Sequence, residues 1–112
     1  MKVKTLGSPF GSMTRTRALV TLSLLGVSYQ RELSRLLDAS PSVVQKALSS
    51  LERDGLVSGR LMGRTRTYCL NPRFFARAEL DALLRRLAEA DADLQARTAE
   101  LRRRPRRAGK LL

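Results

Sequence analysis

Residues 40–70 read SPSVVQKALSSLERDGLVSGRLMGRTRTYCL, and the punctuation of this stretch decides the fold. Ser40 stands immediately before Pro41. Serine is a favoured helix N-cap because its hydroxyl accepts from a free N–H of the first turn. Proline suits the first helical position, where its missing N–H has no partner to lose. Val44, Ala47, Leu48 and Leu51 then recur at helical spacing. The spacing predicts a helix from Pro41 to about Asp54 with those residues facing a core, and Gly55 supplies the residue that ends it. Two strand-like runs follow, Leu56–Leu61 and Thr65–Leu70. They are joined through Met62-Gly63-Arg64, a glycine-containing hairpin signal.

Upstream, Leu33, Leu36 and Leu37 form an apolar stripe at i, i+3, i+4, which predicts a short helix over about Tyr29–Leu37. Asp38 and Ala39 make the tight turn between the two helices. Ser12 or Thr14 is placed to cap a first helix ending near Leu25, with Leu19, Val20, Leu22 and Leu25 buried and Gly26 closing it. Downstream, Asn71-Pro72 reads as the cap and first position of one long helix to about Arg103, ended by Pro105. The expected fold is mainly helical with a small β-hairpin, in the order α-α-α-β-β-α. That is a winged helix-turn-helix with a long C-terminal helix. The expected organisation is an irregular arm over 1–11, the winged helix-turn-helix over 12–72, the long helix over 73–103 and a basic tail over 104–112.

Composition narrows the function. A chain of 112 residues predicts one domain. It is 43% hydrophobic but only 4% aromatic, so leucine, valine and alanine must build the core. So short a chain has little room for a deep substrate cavity as well. Lys plus Arg number 22 against 10 acids, a net +12 that attracts polyanions. Nucleic acid is the first candidate and an anionic membrane the second. An arginine-rich composition imposed by a GC-rich genome is the bland alternative. The distribution argues against that alternative: residues 60–77 hold five basic and no acidic side chains, whereas residues 78–101 hold three basic and six acidic ones. A uniform bias would not separate the signs in this way.

The sequence has one cysteine and no histidine. An intrachain disulfide, a Cys/His zinc site and a histidine-dependent triad are therefore excluded. No cofactor or metal is expected. Cys69 reads as a small packing residue rather than a redox sensor. No enzyme is expected: there are no paired carboxylates in a cleft-like context, and Gly7-x-x-x-Gly11 lacks the lysine of a phosphate loop. Met1–Lys4 and the apolar run Ala18–Val27 loosely imitate a signal peptide. Thr21 and Ser23 interrupt that run, however, and no small-residue cleavage site follows. The expected location is the cytoplasm, without membrane association.

In a helix-turn-helix the second helix lies in the major groove. The non-core positions of the predicted helix, with its cap, are Ser40, Ser42, Val43, Gln45, Lys46, Ser49, Ser50 and Arg53. Glutamine can pair bidentately with adenine, lysine can reach guanine or phosphate, serine can bond to either, and Val43 can meet a thymine methyl. The plain alternative is an amphipathic helix whose polar face meets water. The hairpin adds Arg60, Arg64, Thr65 and Arg66, with Thr67 beside them. A thin basic hairpin can lie along a DNA backbone and place arginine in a narrow minor groove. Its plain alternative is an exposed basic turn.

The runs Glu32–Leu37, Ser40–Leu48 and Leu51–Val57, followed by Gly63-Arg64-Thr65-Arg66-Thr67-Tyr68-Cys69-Leu70, resemble winged-helix bacterial regulators of the ArsR type and, more loosely, the MarR type. The resemblance covers roughly residues 12–85. It implies a homodimer on a palindromic double-stranded DNA operator, usually a repressor, with 41–54 as recognition helix and 60–66 as wing. The chain departs from the ArsR metal sensors in lacking their histidine and paired cysteine ligands.

Leu80, Leu87, Leu94 and Leu101 are spaced seven apart, with Leu84 interleaved, a heptad row that suggests dimerisation through the C-terminal helix. Asp91 and Thr98 interrupt the row. The other reading is that part of the row simply covers the domain core. A second functional reading is an interaction adaptor that pairs with another protein through this helix. The tail residues Arg102–Arg104, Arg106, Arg107 and Lys110 suit either phosphate contacts or a helix C-terminus.

Overall fold

The computed structural model describes residues 9–103. Its elements are α1 (Met13–Leu25), β1 (Ser28–Tyr29), α2 (Gln30–Leu37), α3 (Pro41–Arg53), β2 (Val57–Met62), β3 (Thr65–Leu70), α4 (Arg77–Glu89) and α5 (Ala92–Arg103). The basic tail beyond Arg103 and most of the irregular arm lie outside the described residues.

Helix α1 is the centre of the molecule. The Ser12 side chain accepts from the Arg15 N–H at its start, and the Gly26 N–H closes on Leu22 O at its end. Ala18, Leu19, Val20 and Leu22 are fully buried, and α1 packs against every other helix and against β3. Thr16 and Thr21 are buried too. Their hydroxyls donate to the carbonyls of Ser12 and Arg17, so neither is left unsatisfied.

The helix-turn-helix forms where the sequence marks it. Asp38 takes a left-handed conformation at the end of α2, a region that short polar side chains tolerate. Ser40 Oγ accepts from the Val43 N–H at 3.3 Å, and Pro41 occupies the first turn of α3. At the other end Gly55 has φ +82°. Its N–H donates to Glu52 O and the next N–H, of Leu56, to Leu51 O, both at 3.0 Å. That pair of bonds is the Schellman closure, which needs the left-handed residue glycine supplies. Val44, Ala47, Leu48 and Leu51 face the core as their spacing requires.

The sheet has three antiparallel strands in the order β1-β3-β2. The hairpin register runs from Val57↔Leu70 to Met62↔Thr65, leaving Gly63 and Arg64 as a two-residue turn. Gly63 has φ +65°, which fits a turn with glycine at its first central position. The strand β1 is an addition to the sequence-based expectation. Tyr29 belongs to it rather than to α2, because its backbone pairs with Thr67 while Ser28 pairs with Tyr68.

The single long C-terminal helix is not found; two helices replace it. Asn71 does not cap a helix. Its side-chain N–H donates to Gly55 O at 2.9 Å and its Oδ1 accepts from the Arg73 N–H, so it ties the end of β3 to the α3–β2 corner. Helix α4 starts only at Arg77. The break after Glu89 is made by Asp91, whose Oδ1 accepts from the Leu94 N–H as a new N-cap, and whose Oδ2 pairs with Arg17 Nε on α1 at 3.0 Å.

That break corrects the dimerisation row. Leu80, Leu84, Leu87 and Leu94 are all members of the chain's own core. Leu101 is half-buried and lines a groove with Leu36 between α2 and α5. Turned at Asp91, α5 runs back against α1 and α2, so four of the five leucines of the row face the chain's own core. Among the described residues no helix is long and apolar enough to cross a membrane.

Candidate nucleic-acid interface

The outer side of α3 carries Ser42, Val43, Lys46, Ser49 and Arg53, all exposed. Val43 is among the exposed large apolar side chains of the molecule, with Leu61, Met62 and Phe75. Other expected members of this set have partners inside the protein. Ser40 is engaged as the cap. Ser50 Oγ accepts from Arg15 on α1, and the same guanidinium pairs with Asp54 at 2.9 Å. Ser50 is thus part of the clamp that fixes α3 to α1. Gln45 is half-buried, with its Nε2 donating to Ser49 Oγ at 3.1 Å and to Tyr68 Oη at 3.3 Å.

The hairpin divides its arginines by face. Partners across an antiparallel pair share a face, and successive residues alternate. Gly59, Leu61, Arg66 and Tyr68 therefore lie on one side, and Arg60, Thr67, Met62 and Thr65 on the other. Arg64 sits in the turn and is exposed, as are Arg60 and Thr65. Arg66 is not a free wing cation. Its guanidinium pairs with Glu52 on α3 at 2.8 Å and lies 5.8 Å from the centroid of the Tyr68 ring. Gly59 makes this possible, since a Cβ there would come within 2.9 Å of Arg66 Nη2. The hydrogen bond to Glu52 and the charge of that carboxylate raise the pKa of Arg66 above its ordinary value.

Between α3, the hairpin and the start of α2 lies an open cleft of about 410 Å³ lined by Tyr29, Gln30, Arg31, Gln45, Arg64, Thr65, Arg66 and Tyr68. The structure thus brings Gln45 together with the wing and adds Tyr29, Gln30, Arg31 and Tyr68, which sequence reasoning missed. The signal for Arg31 was present: it follows Tyr29-Gln30 in the first turn of α2, where a side chain sits beside the free N–H groups of a helix start. Gln30 also braces the motif, its Nε2 donating to Pro41 O at 3.0 Å. Among the described residues Arg31, Lys46, Arg53, Arg60 and Arg64 have no side-chain ion pair or hydrogen bond. The two acids of the α3 C-terminal end, Glu52 and Asp54, are each neutralised by an arginine.

Solved structures of the same shape bear on this arrangement. ZitR of Lactococcus lactis, solved in complex with DNA, superposes with a TM-score of 0.57 at 17% identity over 85% of this chain and 63% of that one. The adhesin competence repressor AdcR of Streptococcus pyogenes gives 0.61 at 17% identity over 91% and 74%. Reduced HlyU of Vibrio cholerae gives 0.56 at 28% identity over 79% and 86%. The chain is a winged helix-turn-helix protein. No family model and no curated protein sequence matches the winged helix described here. It spans about three fifths of the length of a ZitR chain. In its terms, α2–α3 is the helix-turn-helix and β2–β3 is the wing.

Proposed function

We propose that this winged helix is a sequence-specific double-stranded DNA-binding transcriptional regulator, a homodimeric repressor that occupies a palindromic operator and blocks transcription sterically. The observation that carries this reading is the cleft between α3 and the wing, which Arg31 and Arg64 line together with Gln45. Such a cleft offers phosphate-binding charge beside a side chain able to read a base edge. Helix α3 enters the major groove through Ser42, Val43, Gln45, Lys46 and Ser49, while Arg60 and Arg64 follow the backbone toward the minor groove. One short recognition helix reads only a half-site, so two copies on a two-fold operator supply the specificity. Their pairing uses a surface other than Leu80, Leu84, Leu87 and Leu94, which are already buried. A protein acting on DNA in this way works in the cytoplasm and has no catalytic residue. The neighbours support the reading through ZitR, solved with DNA, and AdcR, a repressor.

The test is selection of bound sequences from a random duplex library, followed by salt titration on the winner. A two-fold symmetric consensus is expected, with affinity falling steeply as salt rises. Arg64→Ala should weaken binding to all sequences and reduce the salt slope by about one, whereas Gln45→Ala should flatten preference at one position of each half-site. If both variants bind operator and random duplex as the parent does, the assignment of wing and recognition helix is wrong.

A further inference from the structure

A glutamine carboxamide carries two N–H hydrogens and one carbonyl oxygen. In Gln45 the nitrogen that bears them has two acceptors, one for each, Ser49 Oγ at 3.1 Å and Tyr68 Oη at 3.3 Å. Its Oε1 has no partner among the described residues. The first bond is local, one helical turn along α3. The second crosses to β3, and its far end is fixed. The Tyr68 side chain is 2% exposed and belongs to the core cluster. Arg66 lies over its ring, pinned by Glu52 in the space that Gly59 leaves open.

We infer that Tyr68 is a positioning residue that sets base specificity: it holds the Gln45 amide so that Oε1, a pure acceptor, meets the major groove. This rests on the DNA-binding reading above. It makes the site differ from the usual glutamine–adenine pair, which needs an N–H for adenine N7 as well as an acceptor for the N6 amino group. An amide with both hydrogens engaged recognises only an amino group. Adenine N6 and cytosine N4 both present one, so the base facing Gln45 is adenine or cytosine with little discrimination between them. Guanine and thymine, which offer acceptors there, are rejected.

The experiment is the random-duplex selection on the full chain, run in parallel for the parent, Gln45→Ala, Tyr68→Phe and Ser49→Ala. Gln45→Ala identifies the position, as the one whose preference it flattens. The parent is expected to accept adenine and cytosine there to comparable extents. Tyr68→Phe keeps the buried ring and removes only the hydroxyl, releasing one amide hydrogen. Adenine should then be favoured over cytosine by about tenfold as the bidentate pair forms, with the salt slope unchanged because no charge is altered. Ser49→Ala frees the other hydrogen from an exposed position and should produce the same shift, so the inference remains testable if Tyr68→Phe does not fold. Profiles for both variants that superpose on the parent's overturn the inference, as does a parent that selects guanine or thymine at this position. A parent that enriches no sequence overturns the DNA-binding reading and this inference together.

Discussion

The guanidinium of Arg66 is held by a carboxylate of its own chain. Glu52 faces it at 2.8 Å from α3, and both side chains are partly exposed. A phosphate entering the cleft would compete with Glu52 for the same N–H groups, since both are anions suited to the arginine fork. Replacing Glu52 with glutamine removes the competing charge. Binding to random duplex should strengthen several-fold, and the slope of log affinity against log salt should steepen by about one phosphate contact. Fluorescence anisotropy across a salt series measures both quantities. An unchanged slope would mean that Arg66 lies out of reach of the backbone. At this scale the sequence disclosed backbone punctuation well: Ser40, Pro41, Gly55 and Gly63 each sit where their chemistry predicts. It disclosed the positions of cations but not their partners. Nothing in a run such as GRTRTY says that one arginine is bound across the fold to Glu52 while its neighbour Arg64 is free, because the partner is brought close only by tertiary packing.

Asp91 shows how one residue divides an element. In the sequence it interrupts a leucine row; in the fold it ends one helix, caps the next and anchors both to α1. Its carboxylate is almost fully buried, with Arg17 on one oxygen and the Leu94 N–H on the other. Seven-residue spacing reports which face of a helix is apolar. It does not report whether that face meets a partner or the chain's own core, so the row was legible and its destination was not. The local signal for the break was present in Asp91-Ala92-Asp93, an N-cap residue followed by acid in a first helical turn. Asp91→Ala removes both the cap and one partner of a buried ion pair, and should lower unfolding free energy by about 3 kcal/mol. Asp91→Asn keeps a cap acceptor while losing the charge, so its loss should be smaller. Urea unfolding of the two variants separates the roles. Equal losses would assign the whole effect to the charge.

Over the whole molecule, the placement of charge and the placement of leucine have a common origin. With α1 at the centre, the main leucine rows turn inward, including Leu80, Leu84 and Leu87 of α4 and Leu94 of α5. Several acids are then matched by nearby arginines: Asp54 by Arg15, Asp91 by Arg17, Glu52 by Arg66 and Asp81 by Arg77. What remains unpaired around α3 and the hairpin is cationic. A compact core and a basic face are therefore two results of one packing arrangement, and the role of the leucines can be tested apart from DNA. Leu94 is fully buried on α5. Leu94→Ala should lower unfolding free energy by about 3 kcal/mol, the usual loss for a large core side chain replaced by alanine. That decrement should be the same at protein concentrations tenfold apart, and the association state of the folded protein in sedimentation should not change, because no interface has been touched. A seam residue would behave differently: the variant would remain folded, sediment as a smaller species, and show a stability loss that shrinks as protein is added. That second pattern would return the leucine row to the dimer interface and move the core of this domain elsewhere.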